Sequence, residues 1–381
     1  MKRKIFFTVT LCIPFIVLEV LFRLLPVSYP PYILEVNEKN PVARYQTSTD
    51  YLWSKGFDFN IVTRKHTNNL GFVNDYDYAR SNLDPLMVVI GDNFVEAQQI
   101  ANAESMSGIL AEKVKPSGRV YSLGISGAAL SQYLAFAEYG KNVLSPDSMV
   151  FIITGNDFGR RNLLKYLSKQ IAFHYFEEKD GRYVLTRIDY KIRTINKILR
   201  KFAFFRYIKF NLETYHVPTT QLLTPDSVQA DDNSSKFIGN LPRNVSNQYL
   251  IESEKVVDEF FHQLPFRSGL DKNNILFLLD GIRPSLYSDQ GLIDAKNSYF
   301  DRMRSYFKMT AERLGYEVKD MQPVFIKKNR YDGSTFEFPT DSRWNKSGHK
   351  LAASEIERSQ VYKRTFQNPE KIQKTRQVSL G

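Results

Sequence analysis

The stretch MVVIGDNFVEA, residues 87–97, reads as a buried strand that runs into a sharp polar turn and then a helix. A turn of this kind often presents a nucleophile. Here the corner holds Asn93, and a carboxamide cannot attack. Asp92 and Asn93 are also good caps for a following helix, which accounts for the turn without chemistry. Three more clusters of small and polar residues are candidates for chemistry: Gly124-Ile125-Ser126-Gly127, Gly155-Asn156-Asp157, and DSRWNKSGH over residues 341–349. In the last, Asp341 stands two residues before Arg343, whose guanidinium stays protonated at any physiological pH and cannot accept a proton.

The elements that must carry these clusters follow from the hydrophobic pattern. LMVVIGDN, RVYSLGIS, MVFIITGND and NILFLLDG are short, nearly continuous apolar runs that end in small or polar residues. Strands buried on both faces of a parallel sheet have this form. Helical stretches are expected over about 104–114, 130–144 and 292–314, with YEVKDM as a fifth strand and 346–358 as a last helix. The alternation predicts a three-layer α/β/α domain with right-handed crossovers, whose ligands bind beyond the carboxyl ends of the strands. Residues 26–84 read as an irregular stalk packed on a core formed by 85–158 and 248–360. Residues 159–247 read as an inserted lid region: a hairpin turning at Asp180-Gly181, a basic amphipathic helix packed as a lid with its charges outward or laid on an anionic membrane surface, and a polar loop TPDSVQADDNSSKF. Residues 361–381 read as a disordered polar tail.

The net charge of +11 raises nucleic acid, anionic lipid or acidic glycan as partners, but the basic residues are scattered and no nucleic-acid recognition motif is present. At the N-terminus, MKRK precedes the apolar run IFFTVTLCIPFIVLEVLF. With no small-residue cleavage site after it, residues 1–25 are expected to be an uncleaved transmembrane helix. The positive-inside rule would then put the N-terminus in the cytoplasm and the domain outside a single-pass inner membrane. Cys12 is the only cysteine, so the remainder uses no disulfide and no cysteine-ligated metal. The five histidines show no metal-ligand spacing, and no cofactor is implied. The sequons at Asn233, Asn244 and Asn345 are read as chance. Trp344 and Asn345 are read as an aromatic plug and a turn.

Four blocks in order resemble those of the SGNH (GDSL) hydrolases, serine esterases and acyltransferases on a flavodoxin-like sheet. GDNF is similar to their GDSF block, GISGAALSQYL to their glycine block, TGNDF to their GxND block, and DSRWNKSGHKLAA to a block of membrane-anchored members that add or remove acyl groups on cell-envelope polysaccharides. The resemblance covers about 86–158 and 273–360. It places the nucleophilic serine at Asn93 and the base histidine at Arg343, both departures. The oxyanion-hole glycine falls at Gly127, the oxyanion-hole asparagine at Asn156 and the orienting acid at Asp341, all kept. Loss of nucleophile and base together removes esterase chemistry by the family mechanism.

Two readings follow from the resemblance. One is a catalytically degenerate protein that binds an acidic or acylated glycan, or scaffolds envelope-polysaccharide machinery. The other is an esterase or O-acyltransferase rewired through Ser126 or Ser131, with His349 as base. If Arg343 turns inward, the donors at Asn93, Gly127 and Asn156 join it in an anion pocket for a uronate, pyruvyl or acetate-like group. If it turns to Asp341 and solvent, the position is structural only.

Overall fold

The computed structural model describes residues 2–81, 84–166, 172–212, 237–238 and 241–367. A first helix, α1 (Lys2–Leu24), leads into a loop and an antiparallel hairpin of β1 (Thr49–Lys55) and β2 (Ile61–Thr67). The core then begins with β3 (Leu86–Gly91), α2 (Asn93–Glu96), α3 (Met106–Val114), β4 (Arg119–Gly124), α4 (Leu130–Val143) and β5 (Ser148–Ile153). The insertion carries β6 (His174–Lys179), β7 (Arg182–Arg187), α5 (Thr194–Leu199), α6 (Ala203–Arg206), and the short β8 (Phe237–Ile238) and β9 (Leu241–Pro242). The chain returns through α7 (Asn247–Ser268), β10 (Ile275–Leu279), α8 (Asp289–Ala295), α9 (Tyr299–Arg313), β11 (Glu317–Asp320) and α10 (Met321–Asp332). It closes with β12 (Glu337–Phe338), β13 (Asp341–Trp344), α11 (Lys346–Glu357) and α12 (Gln360–Phe366).

The central sheet is parallel throughout, in the order β11-β10-β5-β3-β4. Counted from the β4 edge, its strands run second, first, third, fourth, fifth in the chain, which is the flavodoxin-like doubly wound order. The period-2 alternation of strand side chains feeds two separate cores. Val88, Ile90, Phe151 and Phe277 join residues of α4, α7 and α9 on one face. Met87, Val89, Val150 and Leu276 join residues of α3, α10, α11 and α12 on the other.

The transmembrane anchor is overturned. Among the described residues no helix is long and apolar enough to cross a membrane, so the single-pass location and the partnership with a membrane through that helix fall with it. Between Lys4 and Glu19 the uncharged part of α1 spans about 21 Å, short of a hydrocarbon core of ~30 Å. Glu19 is committed to protein: it accepts the backbone N–H groups of Ala203 at 3.0 Å and Phe204 at 3.1 Å and pairs with Arg23 at 2.8 Å. Phe22 packs on the rings of Phe204 and Tyr207, at 5.4 and 4.4 Å. The end of α1 thus docks on the insertion.

Four local expectations also change. The basic helix is broken into α5 and α6, which runs on into a π turn at Tyr207–Asn211. The break falls at Arg200, which turns inward to the carbonyls of Pro30 and Pro31 instead of facing solvent. The single helix expected over 292–314 splits at Asn297, which has a positive φ, and Ser298 caps α9. Helix α7, missed in the sequence, starts at the Ser246 cap and buries Val256, Phe260 and Leu264. The expected tail begins as α12, with Val361 and Tyr362 buried; residues 368–381, like most of the polar loop, lie outside the described residues. In the hairpin, Asp180 and Gly181 both have positive φ, as a two-residue type I′ turn requires.

Candidate functional site

At the end of β3 the chain turns so tightly that a Cβ on Gly91 would stand 2.5 Å from Val95. The Asp92 carboxylate accepts the N–H of Phe94 at 3.0 Å, and α2 begins at Asn93. Burial lifts Asp92 to about 6, with Glu96 adding to the rise while Phe94 N–H, Arg161 and Arg343 oppose it. At the end of β5, Asp157 is raised further by burial and by Asp92; it accepts the Tyr133 hydroxyl at 2.8 Å and the N–H of Thr154 at 2.6 Å. Asp92 thus caps the turn after β3, and Asp157 closes the turn after β5 through the Thr154 N–H.

Gly127 has φ +92°, a conformation that a side chain strains, and this aims the loop after β4. Arg161, unmarked in the sequence, ties that loop to the next strand end: its guanidinium donates to the carbonyl of Gly127 at 2.9 Å and of Asn156 at 3.2 Å. The amide oxygens of Asn93 and Asn156 are buried with no partner among the described residues.

Asp341 is fully buried and serves cations, not a base. Its Oδ2 accepts from Lys55 at 3.0 Å, Gln99 at 3.0 Å and Arg343 at 2.8 Å, and its Oδ1 from the Arg343 N–H at 3.0 Å. Burial pushes its pKa up, but Arg343 and Lys55 outweigh that and hold it below the usual carboxylate range. Lys55 comes from β1, so the N-terminal hairpin completes the site.

Beside it lies a second network that sequence reading missed. Arg283 is buried and forks onto Asp280 at 3.0 and 2.6 Å, while its third nitrogen reaches Glu337 at 3.1 Å and the Ser342 carbonyl at 3.0 Å. Trp344, wholly buried, donates its indole N–H to Asp280 at 2.8 Å. The tryptophan is thus a plug with a polar anchor. Asn345 caps α11 through Gly348 N–H.

The spare nucleophile and base candidates are engaged elsewhere. Ser131 is buried and donates to the His174 carbonyl at 2.9 Å. His349 is buried, accepts the Met106 N–H at the start of α3 through Nδ1, and is driven down to about 3 by burial, with Lys65 and Arg283 adding to the effect. Ser126 is exposed, and both its hydroxyl and its N–H donate to Glu96, which also accepts the Tyr45 hydroxyl at 2.6 Å.

The low pKa of His349 has a measurable consequence. The unfolded histidine takes up a proton near its ordinary value of 6.5, while the folded one resists until about 3. Acidification through that window therefore favours the unfolded chain, by at most ~1.4 kcal/mol per pH unit from this group. His349→Asn keeps an acceptor for Met106 but does not titrate. Urea unfolding should show the substitution costing clearly more at pH 7 than at pH 4.5; an equal cost at both would show that His349 is not held neutral.

Two cavities flank the acid. One of about 520 Å³ is lined by Asn156, Asp280, Arg283, Glu337 and Asp341. The other, of about 340 Å³, is lined by Ser126, Gln98, Gln99, Arg343 and residues of the N-terminal segment and the insertion. Asn93 lines neither, and Arg343 lines only the second. Among the described residues no cluster of His, Cys, Asp and Glu could hold a metal ion.

The strand order, with the four blocks set at the carboxyl edge of the sheet, defines a flavodoxin-like α/β/α domain. No protein-family model matches the chain, and no curated protein matches it. Among solved structures it aligns with a member of the lipolytic G-D-S-L family from Veillonella parvula, at 9% identity and TM-score 0.36, covering 71% of this chain and 95% of that one. An acetyl xylan esterase aligns at 11% identity and TM-score 0.38 over 71% of this chain and 97% of its own. A carbohydrate acetylesterase family member from Sinorhizobium meliloti aligns at 8% identity and TM-score 0.36, over 74% and 100%.

Proposed function

We propose that this chain is a catalytically silent protein of SGNH-like form that holds an acidic or acylated glycan at its strand-end cleft, as a binding or scaffolding part of polysaccharide-processing machinery. The observation that carries the reading is the ion pair of Arg343 with Asp341. Where the resembled hydrolases need a neutral imidazole to take a proton from serine, this site has a permanent cation locked to the orienting acid. The corner residue, Asn93, has no proton to give up as a nucleophile.

One observation favours the rewired reading: the exposed Ser126 hydroxyl donates to a carboxylate. Glu96 is nonetheless a poor base there, because its oxygens already accept the Ser126 N–H and the Tyr45 hydroxyl. Exposure of the purified protein to a serine-directed fluorophosphonate, followed by intact mass measurement, should give no adduct. A stoichiometric adduct mapped to Ser126 would replace this reading with the rewired one.

A further inference from the structure

Among the described residues that line the 340 Å³ cavity beside Arg343, none is acidic. Its cations come from three separate elements: Arg343 from β13, Arg200 from the break after α5, and Lys209 from the π turn. Arg200 is the unusual one. It is 7% exposed, and no carboxylate among the described residues pairs with it. One terminal nitrogen serves the carbonyls of Pro30 and Pro31, the plane lies over the rings of Tyr32 at 4.2 Å and Phe210 at 5.0 Å, and Nε is buried without a partner. Burial lowers its pKa from the ordinary arginine value. A buried guanidinium held by carbonyls and rings alone is expensive to keep, and an anion in the cavity would relieve the cost.

The other walls set the shape of that anion. Trp53, Tyr45, Tyr190 and Phe210 contribute aromatic side chains to the lining. Gln98 spends its amide oxygen on the Tyr51 hydroxyl at 2.7 Å, and Gln99 spends its nitrogen on Asp341 at 3.0 Å. The pair is left with the Gln98 amide nitrogen as a donor group and the Gln99 amide oxygen as an acceptor, a combination that suits a sugar hydroxyl. Rings, paired amides and a planar cation together describe a polyhydroxylated ring bearing a carboxylate.

We infer that this cavity is a subsite for a uronic-acid residue of a glycan, with Arg200 as the residue that selects the carboxylate; the inference rests on the glycan-binding reading above. It gives the insertion a task, since α5 and the π turn bring Arg200, Lys209 and Phe210 to the cleft.

Calorimetric titration of the full chain with glucuronate and galacturonate tetrasaccharides, and with their carboxyl-reduced counterparts, tests it. At least one uronate probe should bind ten-fold or more tightly than its reduced form. Arg200→Gln should abolish that preference, and Arg200→Lys should retain part of it. Because Arg200 is buried, a second variant guards against misfolding: Asn196→Phe narrows the cavity at a half-buried lining position and should also weaken uronate binding ten-fold. An acetylated xylo-oligosaccharide separates the two levels of the account. If it binds while neither uronate probe is preferred, or if Arg200→Gln leaves the preference intact, the uronate subsite is wrong and the glycan reading stands. If no probe binds, both are wrong.

Discussion

Replacing Arg283 with alanine is expected to cost the fold ~3–5 kcal/mol, the range for breaking a buried ion pair by removing one partner. Its guanidinium is 4% exposed and holds Asp280 and Glu337 together. Without it the Asp280 carboxylate keeps the Trp344 indole and the Gly281 N–H, but no cation. Glu337 keeps the Tyr287 hydroxyl at 2.5 Å. The guanidinium also lies over the rings of Phe94 at 5.5 Å and Phe325 at 5.9 Å, so packing is lost with the charge. Against a total stability of ~5–15 kcal/mol, that is a large fraction of the margin that keeps the chain folded. Urea unfolding measures the loss, and a change under 1 kcal/mol would show that the network is not held as described. Arg283→Lys should recover little, since an ammonium cannot reproduce the fork on Asp280.

The second large effect concerns Asp341. In a working hydrolase this acid would matter for turnover; here it should matter for stability. Asp341→Asn leaves Lys55 and Arg343, each with a side chain 13% exposed, beside a neutral amide, and is expected to cost ~3 kcal/mol. The pH dependence has a definite sign. Its folded pKa lies below the ordinary 3.8, so the unfolded chain protonates first. The contribution of Asp341 is therefore complete above about 3.8 and is lost as pH falls through the lower folded value. Wild type and Asp341→Asn should converge in stability at low pH and diverge at neutral pH. A constant difference across that range would mean that folding does not lower the pKa of the carboxylate.

The parts of this account that were legible in the sequence share a physical cause. Strands β3, β5 and β10 are covered on both faces, so they read as unbroken apolar runs, and their carboxyl ends show as the small and polar residues that follow. The resemblance that singles out Asn93 and Arg343 likewise rests on blocks that are local in the chain. What escaped was long-range. Nothing near Lys55 announces a partner 286 positions away, and the pairs of Arg161 and Arg283 likewise form only once loops from different strands meet. The same blindness produced the membrane anchor. The run in α1 is apolar by composition, but Glu19 is matched to Ala203 and Phe204, a contact that no window on the first 25 residues contains. Arg200 read as one more solvated charge on a basic helix, and only the break after α5 turns it inward.

The claim that the strand-end site has lost its chemistry is tested most directly by steady-state hydrolysis of 4-nitrophenyl acetate and acetylated xylo-oligosaccharides by the purified full chain, beside its Ser126→Ala variant. The account predicts that neither protein releases acetate above the rate of a heat-denatured control. Turnover by the wild type that disappears in Ser126→Ala would contradict it.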